Sequence, residues 1–262
     1  MADYHIVTVD SSNVEEFGFF CVKNKKHPGY VAKRAWLEKR FQEGMRIKLI
    51  RTTDGKPAGF LEYIPGEYTW RVVNAQGYFV IHCLWVASKK FPHKGMTSAL
   101  LKDCLKDAES SGKLGVAVVT SDGSWMADKR VFVKHGFEQV DETKPHFQLL
   151  IIRLKKGPLP AFPKNWDERL RQYRGLQLVY TSQCPYIGKA VEELPPVAKK
   201  YGARLNLVEL KNAKDARKNM PSPYGMINLV YNGQLLADHP ISATRFKNIL
   251  ERELKLKTKK GR

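Results

Sequence analysis

The sequence lacks any apolar run long enough to span a membrane, which takes about 20 residues as a helix. The N-terminus has neither a basic region nor an apolar one, so we expect no signal peptide. The four cysteines, Cys21, Cys83, Cys104 and Cys184, form no Cys-x-x-Cys pair. This spacing predicts neither a disulfide framework nor a metal site, and it is typical of a cytoplasmic protein.

Positive charge is present in excess, with a formal net charge of +19 over 262 residues. The excess is spread over both halves of the chain, and only Lys255 to Arg262 forms a basic run. No motif that reads a nucleic-acid groove accompanies the charge, so nucleic acid is not the expected partner. An anionic ligand that carries phosphates would be attracted to the same surface.

A proline-rich segment divides the chain. Three prolines and a glycine stand between Gly157 and Pro163, a pattern that continues neither a helix nor a central strand. We predict a first domain over residues 1–155, a linker over 156–174 and a second domain over 175–262.

The first domain has the pattern of a mixed α/β layer, an α+β arrangement with a mixed sheet. Apolar periodicity predicts helices over 14–22, 30–43, 94–110 and 126–135. It also predicts strands over 5–9, 47–52, 58–64, 78–86, 116–120 and 147–154.

A buried strand runs into a glycine-containing turn at the start of the helix 94–110. Unpaired N–H groups and the helix dipole at such a turn favour a phosphate. The segment resembles the motif of GNAT acetyltransferases, whose turn cradles the pyrophosphate of coenzyme A. In this resemblance Gly95 and Thr97 take the two small positions, and Pro92 stands where the family prefers Arg or Gln. The resemblance implies an acetyl-CoA site at Trp85, Val86, His93, Lys94, Gly95, Met96, Thr97 and Ser98.

A second segment, 127–137, resembles the GNAT helix that ends in Gly-Phe. Many members of the family place a tyrosine four residues before that glycine, as the acid for the leaving thiolate. Here the position is Phe132, which has no proton to donate. The resemblance covers residues 1–155. It implies the GNAT acyl-CoA N-acyltransferase fold, acetyl-CoA as co-substrate and direct attack of an amine acceptor, without a covalent acyl-enzyme.

The general base has two candidates. His82 has the strand parity of Leu84 and Val86, so it could face the cofactor cleft, and its ordinary pKa suits a base near neutral pH. A satisfied core histidine is the alternative. Glu62 is the second candidate, unless it lies on a solvated strand face. The segment 122–125 is expected to shape the far wall of the cleft.

The acceptor region of this fold includes the loop 21–30 of this chain. Its basic residues, Lys23, Lys25 and Lys26, could favour an amine borne on an acidic molecule. A solvated loop without a role in binding is the alternative.

The second domain shows a strand-helix-strand-helix-strand-strand-helix order that resembles the thioredoxin fold. Cys184-Pro185 matches the start of a glutaredoxin-like active site, and Ser222-Pro223 stands at the position of the family's cis-proline loop. Ile187 replaces the second cysteine, which excludes dithiol exchange. At a helix N-terminus the Cys184 thiol is expected to have a lowered pKa and to react. A redox fold that now serves packing or acceptor binding is the alternative.

Over its whole length the chain resembles the YoaP-like group of bacterial acetyltransferases, a resemblance that names no substrate. Two other functions stay open. Pro92 and Phe132 favour a non-catalytic acyl-CoA sensor, and Cys184 favours a monothiol redox or thiol-transfer protein. The sequence predicts neither the acceptor nor the acyl length, and it leaves a monomer and a homodimer as open alternatives.

Overall fold

The computed structural model describes residues 4–87, 95–123 and 125–258. Seven strands form one sheet: β1 (Tyr4–Val9), β2 (Arg46–Thr52), β3 (Pro57–Pro65), β4 (Tyr78–Val86), β5 (Gly115–Ser121), β6 (Glu138–Thr143) and β7 (Phe147–Arg153). Their order is β1-β2-β3-β4-β5-β7-β6, and only β4 and β5 pair in parallel. The predicted mixed α/β class is confirmed. We call residues 4–153 the N-terminal unit.

Four helices belong to this unit: α1 (Val14–Phe17), α2 (Pro28–Gln42), α3 (Met96–Ser110) and α4 (Lys129–Val133). α1 and α4 are shorter than predicted. Gly18, with a φ of 68°, ends α1, and the Asp128 side chain caps α4 by accepting from Arg130 N–H at 2.8 Å. β6 was not predicted, because none of its residues is buried and it has no apolar face.

The helices α3 and α2 pack on opposite faces of the sheet. Leu100 and Leu101 of α3 join an apolar cluster with residues of β2 to β5. Trp36 and Leu37 of α2 join a cluster with residues of β1 to β3 on the other face. The face that α2 covers continues over β4, β5 and β7, where further buried apolar side chains stand: Val80, Ala117, Val119, Leu149 and Ile151.

The rest of the chain forms a second sheet. Its strands are β8 (Leu176–Tyr180), β9 (Leu205–Glu209), β10 (Ile227–Tyr231) and β11 (Gln234–Ala237), in the order β11-β10-β8-β9. Its helices are α6 (Ile187–Lys200), α7 (Ala213–Asn219) and α8 (Ala243–Asn248), the last continued by a π-helical turn over Ile249–Glu253. The order of elements is the one predicted. We call residues 176–253 the C-terminal unit.

Two features differ from the expectations for this half. The segment predicted as a linker contains a further helix, α5 (Trp166–Arg171), and the buried side chain of Phe162. The cis peptide bond recorded among the described residues joins Lys144 and Pro145, so the Ser222–Pro223 bond is not cis. None of the described helices is long and apolar enough to cross a membrane.

The C-terminal unit covers the apolar surface over β4, β5 and β7. One cluster joins Val80 and Leu149 of the N-terminal unit to Leu178 and Leu229 of the C-terminal unit, with Phe162 between them in sequence. Burial of such surface contributes about 25 cal/mol per Å² to folding. The two units therefore share one core.

Close backbone contact between the units depends on a glycine. Gly29, in the first turn of α2, faces the backbone of Pro185. A Cβ on Gly29 would overlap Pro185 O, which is a steric clash. Gly188, in the first turn of α6, faces Gly29 from the other side, but a Cβ there would lie 3.5 Å from Gly29 Cα, an ordinary contact.

These two glycines make a matched pair for a stability test. Gly29→Ala should lower the free energy of unfolding by about 1–3 kcal/mol, because the clash outweighs the better helix propensity of alanine. Gly188→Ala should leave it unchanged or raise it by up to about 1 kcal/mol. Chemical denaturation of both variants measures the difference. Equal stability of the two would contradict the docking of α2 against Pro185.

Candidate active site

An irregularity in the pairing of β3 with β4 positions the first candidate residue. Glu62 pairs with Cys83, and the next residue of β3 pairs with Ile81, so His82 is an extra residue on β4. A bulge of this kind redirects the side chains that follow it. Val86 packs with the cluster beneath α3, whereas His82 and Cys83 line a cavity on the opposite side. The prediction that His82 and Val86 lie on one face of the sheet, which rested on strict alternation along β4, is therefore wrong. His82 nevertheless lines a cavity.

The strands β4 and β5 separate beyond their parallel pairing. The pairing ends at Ile81 with Val118, although β4 continues to Val86 and β5 to Ser121. A recess of about 50 Å³ lies at the separation, and its wall includes Phe132. Beyond Ile81 the edge of β4 that faces β5 has no strand partner in the described chain, so its backbone N–H and C=O groups can bond to a ligand.

A cavity of about 630 Å³ adjoins this recess and lies between the two units. Small-molecule sites in proteins range over about 300–1,000 Å³. Both units contribute to its walls, which include Phe20, Cys21, Lys33, Phe60, Glu62, His82, Cys83, Trp85, Trp125, Met126, Gln183, Cys184, Pro185, Tyr186, Tyr224 and Met226. The structure thus places both base candidates, Trp85 and Cys184 on one cavity.

A buried ion pair stands on the cavity wall. Lys33 Nζ lies 2.7 Å from Glu62 Oε2, and both side chains are almost fully buried. Burial alone would raise the pKa of Glu62, but the charges of Lys33 and His82 lower it to about 2. Glu62 is therefore an ionised carboxylate at neutral pH, and it does not lie on a solvated strand face.

His82 is bonded at one nitrogen and without a hydrogen-bond partner at the other. Its Nε2 accepts from the backbone N–H of Trp70 at 3.3 Å and lies 3.0 Å from Thr69 Oγ1. The hydrogen of the neutral ring is then on Nδ1, which is buried 3.7 Å from Glu62 Oε1. Burial lowers the pKa of His82 to about 4 although Glu62 opposes the shift. The nitrogen that could accept a proton is thus already occupied.

A buried arginine ties this region to the C-terminal unit. The Arg71 guanidinium donates to the carbonyl oxygens of His82 and Tyr224, and no carboxylate pairs with it among the described residues. Burial lowers the pKa of Arg71. Two further bonds join the units: Arg217 Nη1 donates to Thr69 O at 2.7 Å, and Tyr186 Oη donates to Cys21 O at 2.6 Å.

The thiols have raised pKa values, which corrects the expectation for Cys184. Burial raises the pKa of Cys184, because α6 begins only at Ile187 and the dipole does not offset desolvation. Burial also raises the pKa of Cys83 to about 12 and raises the pKa of Cys21. These three thiols line one cavity. No group of three His, Cys, Asp or Glu side chains among the described residues is arranged to hold a metal.

The turn predicted to bind a ligand lies at the start of α3. Gly95 is its N-cap with a φ of 91°, and among the described residues no side chain caps the helix there. In the part of the chain that the structure describes, Tyr4 Oη is the atom that would lie near a Cβ on Gly95, at 4.0 Å. Met96 is buried in the core, and Ser98 Oγ lies 2.7 Å from His135 Nε2. The first N–H groups of a helix have no partner within the helix, so those of Met96, Thr97 and Ser98 can bond to a ligand. Pro92, His93 and Lys94 lie outside the described residues.

The basic loop 21–30 contributes apolar contacts to the cavity, with Cys21 on its wall. The charged ends of Lys23, Lys25 and Lys26 are exposed, and Lys25 lies 3.8 Å from Glu15. None of these lysines lines the cavity. The structure therefore does not place the loop's charge where an acceptor would bind.

Sequence reasoning missed Lys33, Arg71 and the aromatic residues of the C-terminal unit. Lys33 stands three residues before Trp36 and four before Leu37, so it shares the buried face of α2, a signal that the spacing contained. Arg71 and Tyr224 carry no such signal, because they meet only when the two units dock. Trp125 does line the cavity, as expected for the segment 122–125.

Comparison with known proteins places these features in context. No protein-family model matches the chain. The Bacillus subtilis (strain 168) protein named uncharacterized N-acetyltransferase YoaP is 25% identical over 249 residues, which cover 93% of this chain and 97% of YoaP.

Solved structures of acetyltransferases resemble the chain distantly. A GNAT-family acetyltransferase from Staphylococcus aureus has a TM-score of 0.42 at 12% identity and covers 58% of this chain and 99% of its own. The PaiA N-acetyltransferase of Thermoplasma acidophilum, solved with coenzyme A, has a TM-score of 0.41 at 12% identity over 57% and 98%. YncA of Salmonella typhimurium, solved with acetyl-CoA, has a TM-score of 0.43 at 15% identity over 60% and 97%. At these scores the likenesses carry no argument about chemistry.

The low pKa of His82 predicts an acid-sensitive fold. The unfolded chain protonates this histidine near pH 6.5, but the folded protein does so only near pH 4, so the unfolded state binds more protons between the two. The free energy of unfolding should therefore fall as the pH falls from 6.5 to 4, by up to about 3 kcal/mol. His82→Gln should flatten this slope, and denaturation at several pH values measures it.

The variant His5→Gln, at an exposed histidine, is the control and should keep the wild-type slope. Glu62 loses its own contribution at lower pH, between 4.5 and about 2. An unchanged slope in His82→Gln would show that the ring is not held neutral by burial.

Proposed function

We propose that the chain is an N-acetyltransferase that takes an acetyl group from acetyl-CoA and transfers it to a primary amine. The observation that carries the proposal is the separation of β4 from β5, with a cavity of about 630 Å³ next to it and the N-terminus of α3 following β4 in the chain. The similarity to YoaP over 93% of the chain supports it.

The residues at the start of α3 fit a phosphate-bearing co-substrate. The N–H groups of Met96, Thr97 and Ser98 and the positive end of the dipole would hold the pyrophosphate, and Gly95 leaves room for it. Acetyl-CoA would supply a thioester, whose acetyl carbon bonds to the amine nitrogen as the carbon–sulfur bond breaks and the sulfur takes the electron pair. The free edge of β4 offers N–H groups for the carbonyl oxygen.

Glu62 is the residue that we propose to bind the acceptor nitrogen. Its carboxylate is ionised and buried, and Lys33 bonds to only one of its oxygens. A carboxylate with a pKa near 2 attracts an ammonium group but takes up a proton poorly. The ammonium would therefore lose one proton to solvent before its nitrogen attacks, and the second proton, released as the amide forms, would pass to the thiolate or to solvent. His82 holds the loop at Trp70 in position, rather than acting as the base.

The domain plan is part of the proposal. We infer that residues 1–155 form the transferase domain, 156–174 the connection and 175–262 a thioredoxin-like domain without redox activity, in a cytoplasmic protein. The strand order β11-β10-β8-β9, with β8 and β9 parallel, supports the thioredoxin-like assignment. The raised pKa of Cys184 argues against a monothiol enzyme.

A non-catalytic acyl-CoA sensor is the second candidate. Phe132, on the wall of the recess, is the observation in its favour, because no proton donor stands at that position. The sensor binds acetyl-CoA but releases no coenzyme A with any amine. Steady release of free thiol in the presence of an amine separates the enzyme from the sensor.

Binding of acetyl-CoA should raise the melting temperature, because a ligand of the native state stabilises it. Gly95→Glu should abolish the rise, since it fills the turn and places a negative charge beside the phosphates. Gly95→Asn is the matched control: asparagine tolerates a positive φ and adds no charge, so it should keep part of the rise. Calorimetry measures all three proteins. A full rise with Gly95→Glu would move the acetyl-CoA site elsewhere.

A further inference from the structure

The cavity between the units has a wall chemistry that selects its ligand. Aromatic side chains from six segments of the chain line it: Phe20, Phe60, Trp85, Trp125, Tyr186 and Tyr224. The ring of Trp85 lies 5.0 Å from that of Phe20, and the ring of Trp125 lies 6.0 Å from that of Tyr186. Trp85 and Trp125 are about half exposed, at 49% and 54%, although both are large apolar residues. Ordered aromatic rings left uncovered in this way indicate a binding surface.

The charges on the wall are few and balanced. Lys33 and Glu62 are the only lysine, arginine, aspartate or glutamate among the described lining residues, and they pair with each other. His82 is neutral at pH 7, because burial lowers its pKa. A second ammonium or a carboxylate on the ligand would therefore be buried without a partner of its own, at a high free-energy cost.

One polar position on this wall has room for an amine. Lys33 bonds to Oε2 of Glu62, while Oε1 lies 3.7 Å from His82 Nδ1, too far for a hydrogen bond. An ammonium group on the ligand can donate to Oε1.

We propose that the acceptor is a small primary arylalkylamine, whose ring packs among the aromatic side chains and whose nitrogen bonds to Glu62. The inference rests on the proposed acetyl transfer and names its substrate class. It also gives the C-terminal unit a function. The residues just before α6, from Gln183 to Tyr186, form the wall that faces β4, so this unit takes part in recognising the acceptor.

The closed side of the cavity and its single carboxylate disfavour other classes of acceptor. Pro185 meets α2 at Gly29, and Tyr186 Oη donates to the backbone of Cys21, so the two units close over one side of the cavity. A lysine within a folded protein would have to bring its own backbone into this space. A polyamine would bring several charges past a single carboxylate.

Isothermal titration of the full-length protein, with coenzyme A present, tests the substrate class. The ligands are 2-phenylethylamine, n-butylamine, which lacks the ring, spermidine and a lysine-containing peptide. We expect 2-phenylethylamine to bind at least about tenfold more tightly than the other three, because only it buries a ring. Equal or tighter binding of spermidine or the peptide would overturn the proposal.

Variants of Tyr186 test the part played by the C-terminal unit. Tyr186→Ala should weaken the binding of 2-phenylethylamine by about threefold to tenfold, whereas Tyr186→Phe, which keeps the ring, should retain most of it. Tyr68→Ala removes an exposed tyrosine outside the cavity and should change nothing. Stabilisation by acetyl-CoA should be the same in all three, which shows that they are folded. Unchanged binding in Tyr186→Ala would refute the placement of the ring.

The two proposals can fail separately. If acetyl-CoA stabilises the protein and other amines release coenzyme A, but 2-phenylethylamine does not bind, the substrate class is wrong and the transferase stands. If 2-phenylethylamine binds as expected but no amine releases coenzyme A, the transferase is wrong and the specificity of the cavity stands.

Discussion

The apolar face of β4, β5 and β7 has to be covered, and the structure depends on how this is done. Helix α2 covers the same face over β1 to β3 only, and the C-terminal unit covers the remainder. Val80 and Leu149 are fully buried and belong to one apolar cluster with Leu178 and Leu229 of the C-terminal unit. The apolar face of β4, β5 and β7 would be unfavourable if it were exposed to water. The two units therefore behave as one body, and the cavity lies where α2, β4 and the C-terminal unit meet.

Polar groups buried at this junction give the cavity its chemistry. Arg71 bonds to carbonyl oxygens of both units, and Lys33 neutralises Glu62. Each would be costly to bury alone, so their partners fix the positions of the strand and the loops. The bulge at His82 also contributes, because it brings His82 and Cys83 to the cavity side of the sheet. The cavity between the units therefore has aromatic walls and one carboxylate, that of Glu62.

Features that depend on local pattern could be predicted from the sequence. The strand β4 has the predicted bounds, 78–86. Features that depend on docking could not. The bulge at His82 follows from its pairing with β3, and the parity argument fails there. The lowered pKa expected for Cys184 rested on a helix terminus, but burial against the N-terminal unit dominates and raises it.

A crystal structure of the protein with coenzyme A and 2-phenylethylamine would test the account most directly. The account predicts electron density for the amine between the units, with its nitrogen within hydrogen-bond distance of Glu62 and its ring against Trp85, Trp125 and Tyr186. Coenzyme A should lie at the start of α3, with its sulfur at the separation of β4 and β5. An amine bound only to the N-terminal unit, away from Tyr186, would contradict the shared site.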